Sequence, residues 1–182
     1  ASSLFKAGSA ADSFWMILSN SSPLIYLSKI SKLEFLKILF HEISIPKEVY
    51  EEVVVKGKKE KFFDALKIEE AIKKGWLKIK EAEIEEQIKK FDTEIDLGEI
   101  ALINLAKKLA PSLILIDDAS ARAIAEGMGF NVKGTLYVLL TAYKKKLISK
   151  NETKELINNL IFSGFRISQE LYIKLLSDLE KS

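Results

Sequence analysis

The chain has no cysteine, a single histidine, only three prolines and no long apolar run. Each absence removes a class of function. Without thiols there is no disulfide frame, no thiolate zinc site and no cysteine nucleophile, and a cytoplasmic setting fits best. The one imidazole, His41, falls at an expected helix-to-strand boundary, where a structural or surface role suits it because a metal site seldom rests on one imidazole. No stretch approaches the ~20 apolar residues needed to span a bilayer, so no membrane contact is expected. A net charge of +2 is too small for the broad basic field of a sequence-independent nucleic-acid binder, and any nucleic acid must be held locally.

What is present is a chain able to bury a core: 48% apolar and 30% charged residues, with little glycine or proline, argue against disorder. Its 182 residues suit one well-cored domain better than two. The opening Ser-Leu-Phe-Lys-Ala-Gly-Ser-Ala-Ala resembles a translated cloning scar. The expected division is therefore 1–15 as scar and 16–182 as a single domain starting at Met16. Enrichment in Lys, Glu, Ile and Leu is common, though not diagnostic, in proteins of heat-loving organisms.

Two short apolar runs organise the rest. Met16-Ile-Leu-Ser and Leu113-Ile-Leu-Ile each end abruptly in polar or acidic residues before a helical pattern, as strands of a parallel sheet do. Helical spacing of Leu24, Leu27, Ile30, Leu33 and Leu36 predicts two short helices, with Ser31 as a local cap between them. A strand over Glu42–Ile45 follows, and Pro46 suits the first turn of a helix that breaks at Lys56–Lys61. Further expectations are a helix over 60–74 stopped by Gly75, an edge strand Trp76–Lys80, a charged helix over 83–90 and a helix over Asp96–Leu109. Beyond the second apolar run come a helix over Ala119–Met128, a short strand Asn131–Lys133 and a helix from Gly134–Thr135. The last third reads as a helical pair, opened by the capping-box pattern Ser149-x-x-Glu152 and divided at Gly164. The fold class is a three-layer α/β/α sandwich around a mainly parallel sheet of four to five strands, with a C-terminal helical pair.

Open parallel sheets place their chemistry outside the carboxyl ends of the strands. There the sequence supplies Asn20, Asp117 and Asp118, while Glu52 and Glu99 stand on flanking helices with Asp96 as an outer member. Oxygen donors of this kind suit Mg²⁺ or Mn²⁺, and a nuclease that relies on such an ion needs no Ser, Cys or His nucleophile. Taken singly, each acid has a plainer explanation: Asp96-x-x-Glu99 is a capping box, Asp117-Asp118 suits a helix cap, and Glu51 and Glu52 suit a solvated face.

The chain resembles the PIN-domain superfamily of metal-dependent ribonucleases, in particular a prokaryotic PIN-like subgroup. The likeness runs over nearly all of 17–180. It is carried in order by Ser-Asn-Ser-Ser-Pro-Leu-Ile (19–25), Ile-Pro-Lys-Glu-Val-Tyr-Glu-Glu-Val (45–53), Asp-Leu-Gly-Glu (96–99), Leu-Ile-Asp-Asp-Ala-Ser-Ala-Arg (115–122), Gly-Thr-Leu (134–136) and Gly-Phe-Arg-Ile-Ser (164–168). The resemblance implies a catalytic set of Asn20, Glu52, Glu99, Asp117 and Asp118. Asn20, Glu99, Asp117 and Asp118 would hold the Mg²⁺ or Mn²⁺, and Ser22, Asp96 and Arg122 would support the pocket. It further implies an RNA substrate, single-stranded or structured, a cognate antitoxin of the kind that neutralises VapC-like toxins, and a homodimer. The family pattern has aspartate where this chain has Asn20. Three origins fit that departure: a naturally weakened member, an aspartate changed to silence a nuclease, or a motif displaced by an insertion. The rival reading is a catalytically silent PIN-like module that binds RNA or protein; a receiver-like phosphoacceptor lacks its lysine context.

Three further features complete the reading. Lys56, Lys58, Lys59 and Lys61 fit a solvated loop or a phosphate contact. Arg122, one helical turn beyond Asp118, suits a pair with it or a substrate phosphate. Trp76, Phe62 and Phe63 suit core packing ahead of base stacking.

Overall fold

The computed structural model describes residues 15–81 and 95–182. The expected charged helix over 83–90 and all of the expected scar 1–15 except Trp15 lie outside the described residues. Five strands, β1 (Ile17–Ser19), β2 (Ile43–Pro46), β3 (Leu77–Lys80), β4 (Leu113–Leu115) and β5 (Val132–Lys133), form one sheet in the order β3-β2-β1-β4-β5. Every pairing is parallel. This is the expected α/β/α sandwich, with Trp76–Lys80 correctly placed as an edge strand.

Strand alternation builds the layers, because successive side chains leave a strand on opposite faces. Ile17, Leu113 and Leu115 point into a core shared with the helices α1 (Ser21–Lys29), α2 (Glu34–Phe40), α8 (Thr135–Lys144) and α9 (Lys150–Phe162). Leu18, Ile114 and Ile116 point the other way, onto Leu102, Leu105 and Ala106 of α6 (Leu97–Leu109) and Ala121 and Ala125 of α7 (Ala119–Gly127). β4 is apolar throughout and β1 is apolar up to the buried Ser19, because both of their faces are covered.

The segment between β2 and β3 departs from the sequence reading. Pro46 is the last residue of β2 and not part of the first helical turn, and α3 (Lys47–Tyr50) starts one residue later. The helix ends inside the expected break at 56–61, at Lys59. It widens into a π-helical segment, Glu51–Lys56, and continues through α4 (Gly57–Lys59) before the chain turns at Lys61. The reason is tertiary: a side chain begun at Gly57 would stand 2.9 Å from the Ala65 Cβ, so glycine lets this helix lie against α5 (Phe63–Lys73). Ser31 is also not a cap; it occupies the turn between α1 and α2 at φ 58° and accepts a hydrogen bond from Lys67 Nζ at 3.3 Å.

The other helix signals appear as expected. Gly75 follows α5 at φ 82°, a conformation open to glycine at little cost. Ser149 and Glu152 form the reciprocal capping box of α9, and α10 (Gln169–Lys181) completes the C-terminal pair. The two helices are tied by a Lys154–Glu180 ion pair and by Tyr172 donating to Asn158 at 2.8 Å. Among the described residues no helix is long and apolar enough to cross a membrane.

Candidate functional site

The chain leaves β1 directly into α1, and the residue at that exit is Asn20. Its N–H donates to the Leu115 carbonyl at 2.9 Å, extending the β1–β4 ladder and fixing its side chain at the carboxyl edge of the sheet. β1 is flanked by β2 on one side and β4 on the other, so successive crossovers diverge here and open a crevice. Asn20 is 3% exposed. Its Nδ2 donates to Glu99 Oε1 at 3.3 Å, and its Oδ1 is buried without a hydrogen-bond partner. Position 20 itself meets Glu99.

Glu99 reaches this edge because α6 starts there. Asp96 caps α6 by accepting from the Glu99 N–H at 2.8 Å, and Glu99 Oε2 accepts from the Asp96 N–H at 3.2 Å. The capping-box reading and the site reading are thus compatible: the box aims Glu99 and leaves its other oxygen on Asn20. At 6% exposure the Glu99 carboxyl is pushed up to about 7, first by burial and then by the negative charges of Asp96 and Asp118. Asp118 caps α7 by accepting from the Ala121 N–H at 2.9 Å and stays exposed, its charge adding to those that disfavour ionised Glu99.

Glu52 enters from the π-helical segment. Ser21 Oγ donates to Glu52 Oε2 at 2.5 Å. A side chain begun at Gly98 would meet Asp96 Oδ1 at 3.3 Å and Glu52 Oε2 at 3.5 Å. Glu52 and Asp96 therefore border one point at the start of α6, and glycine there leaves room for both carboxylates.

Not every expected residue converges. Asp117 spends both oxygens on the start of α8, Oδ1 accepting from the Thr135 N–H and Oδ2 from the Thr135 hydroxyl, each at 2.7 Å. It is not among the charges felt by Glu99. Arg122 does not pair with Asp118: its guanidinium lies 3.9 Å from Glu126 and its charge favours the ionised form of Asp117. The hydroxyl that holds Glu52 belongs to Ser21, with Ser22 only partly buried beside it. Ser21 and Thr135 were the roles missed. Both lie inside the motif segments, but side-chain direction cannot be read from composition. Phe62 and Phe63 are 56% and 68% exposed, contrary to the core packing expected of them, whereas Trp76 is buried as expected. His41 is exposed and ends α2.

A family model described as a PIN domain matches residues 16–181. The chain belongs to the PIN-domain family. No curated protein matches it. PIN domains generally use divalent metals, so the fit of such an ion to these residues matters. Among the described residues no three Asp, Glu, His or Cys side chains stand close enough to hold a metal. Asn20 Oδ1 is a buried oxygen with no hydrogen-bond partner, and it lies beside the Glu99 carboxyl. Asn20 Oδ1, Glu99 and Asp118 fit a hard ion, with one full charge fewer than an aspartate at position 20 would give.

The raised Glu99 has a consequence for stability. An acid whose folded-state pKa lies above its unfolded value stabilises the fold below the unfolded pKa and loses that contribution as pH rises through the folded one. For Glu99 the window runs from about 4.5 to about 7. Metal-free protein should therefore lose on the order of 1–3 kcal/mol across that window. Urea titrations at a series of pH values would show it, and Glu99→Gln should flatten the slope; an equal slope in that variant would assign the effect to other groups.

Proposed function

We propose that this PIN domain is a divalent-metal-dependent ribonuclease, acting as the toxin half of a toxin–antitoxin pair and weakened by Asn20. The observation that carries the reading is that Asn20, Asp96 and Glu99, from separated parts of the chain, are joined by hydrogen bonds at one rim of a PIN fold, with Glu52 bordering Asp96 at Gly98 and the charge of Asp118 acting on Glu99. Asn20, Glu99 and Asp118 would hold Mg²⁺ or Mn²⁺, which when bound neutralises phosphate charge and activates water. Glu52, exposed and hydrogen-bonded by Ser21, would accept a proton from the water that attacks the phosphodiester. Asp117 supports the rim from behind by holding α8 to the end of β4. A cognate antitoxin, a homodimeric state and a cytoplasmic setting belong to the same proposal.

The test is cleavage of single-stranded RNA with Mn²⁺ by the protein as it stands and by Asn20→Asp. Activity in both, higher in the variant, supports the reading; cleavage by neither removes it. The second reading, a silent module that binds RNA or a protein, is favoured by the amide of Asn20, which already neutralises part of the Glu99 charge through its N–H. A silent module shows no Mn²⁺ heat in calorimetry, in either form.

A further inference from the structure

Glu52 has a second neighbourhood. It forms part of the wall of a cleft between α1, the π-helical segment and α5, with a volume of about 250 Å³. That is just below the ~300–1,000 Å³ of pockets that hold drug-sized ligands, and it suits a single planar base with its phosphate outside. The walls are chemically mixed: Lys29 from α1, Lys56 from the π-helical segment, Glu60, Phe62 and Asp64.

Three observations say what fits. Phe62, unlike a core phenylalanine, keeps 56% of its surface open while lining the cleft, and its extended backbone at the start of α5 fixes where the ring projects. Exposed aromatic faces beside positive charge are the usual platform for unpaired bases. The Lys56 side chain has no hydrogen bond, ion pair or ring contact among the described residues, and Lys29, whose Nζ lies 5.5 Å from the centre of the Tyr26 ring, lines the same cleft, so two cations stand among its three carboxylates, Glu52, Glu60 and Asp64. Glu60 is exposed and supplies an acceptor at the edge of a base lying on Phe62. A carboxylate accepts from the exocyclic amine of cytosine, adenine or guanine and has nothing to accept from on the corresponding edge of uracil except its ring N–H.

We infer that this cleft is the subsite for the unpaired nucleotide next to the scissile phosphate, with the base stacked on Phe62, its exocyclic amine on Glu60 and its phosphate between Lys29 and Lys56. The inference rests on the ribonuclease reading for its place in catalysis, because the cleft and the acid rim share Glu52.

Binding tests it without cleavage. Fluorescein-labelled decacytidylate and decauridylate are titrated by anisotropy against the full chain in EDTA, so that no metal-dependent cut occurs. Decacytidylate should bind several-fold tighter than decauridylate. Phe62→Ala should weaken decacytidylate binding by about 5- to 150-fold, the range found on removing one base-stacking ring. Phe62→Trp should retain it, and Lys56→Ala should lower both affinity and salt dependence. Phe62 and Lys56 are exposed, and circular dichroism checks that the variants are folded. No binding by the parent, equal binding of the two oligonucleotides, or a Phe62→Ala variant that binds like the parent would each overturn the subsite. Cleavage that fails while this binding pattern holds removes the nuclease reading alone.

Discussion

Replacing Asn20 by aspartate is expected to tighten Mn²⁺ binding by about 10- to 100-fold and to raise RNA cleavage with it. The added charge would sit where Asn20 now meets Glu99 Oε1 at 3.3 Å. Unit charges ~4 Å apart interact by ~4 kcal/mol at a moderate effective dielectric. Desolvation takes back part of that, leaving the ~1.4–2.7 kcal/mol that corresponds to this range. The same charge is unfavourable without metal. It removes the N–H that now bonds Glu99 and adds a third acid to those already raising its pKa, so metal-free Asn20→Asp should melt below the parent and recover on adding Mn²⁺. Calorimetry with Mn²⁺ and thermal melts with and without the ion check both halves. Unchanged affinity in the variant would mean that position 20 does not contribute a ligand. Glu99→Gln should lose the Mn²⁺ heat in either background.

Asp117 and Asp118 are expected to separate cleanly when mutated. Asp117→Ala deprives the Thr135 N–H and hydroxyl of their acceptors in a residue that is wholly buried, and each buried donor left unpaired costs about 1–3 kcal/mol. A loss of about 2–4 kcal/mol in urea unfolding is the expected result, with or without metal. Asp118→Ala removes one helix cap, worth about 1 kcal/mol, and its main effect should be weaker Mn²⁺ binding. The surroundings reinforce the assignment of Asp117 to structure. A side chain begun at Gly134 would stand 2.6 Å from Asp117 Oδ1, so the carboxylate is gripped closely by the backbone entering α8. If Asp117→Ala instead kept parental stability and lost Mn²⁺ as fully as Asp118→Ala, Asp117 would be a ligand.

Much of this molecule was determined locally and could be read without coordinates. The apolar stretches at 17–18 and 113–115 are central strands because both of their faces are covered, Ser19 being buried with its hydroxyl donating to the Asn20 carbonyl, and the parallel order follows from the helices between them. Caps at Asp96, Asp118 and Ser149 are short-range hydrogen bonds between residues three apart, so their spacing announced them. The acids near the carboxyl edge were visible for the same reason: strand ends and helix starts are marked by composition.

What tertiary structure decided was direction and contact. Asp117 and Asp118 are indistinguishable as neighbours in sequence, yet a chain leaving a strand turns consecutive side chains to opposite sides, giving one to Thr135 and the other to the Glu99 side. The same geometry chose Ser21 over Ser22 as the partner of Glu52. The helix passes Lys56 because Gly57 can lie against Ala65, a contact with a residue beyond the next turn that no local propensity encodes. Phe62 and Phe63 stay open while α5 buries Ala65, Ile68 and Ala71. Hydrophobicity says that a ring gains by burial, but only packing says whether there is room.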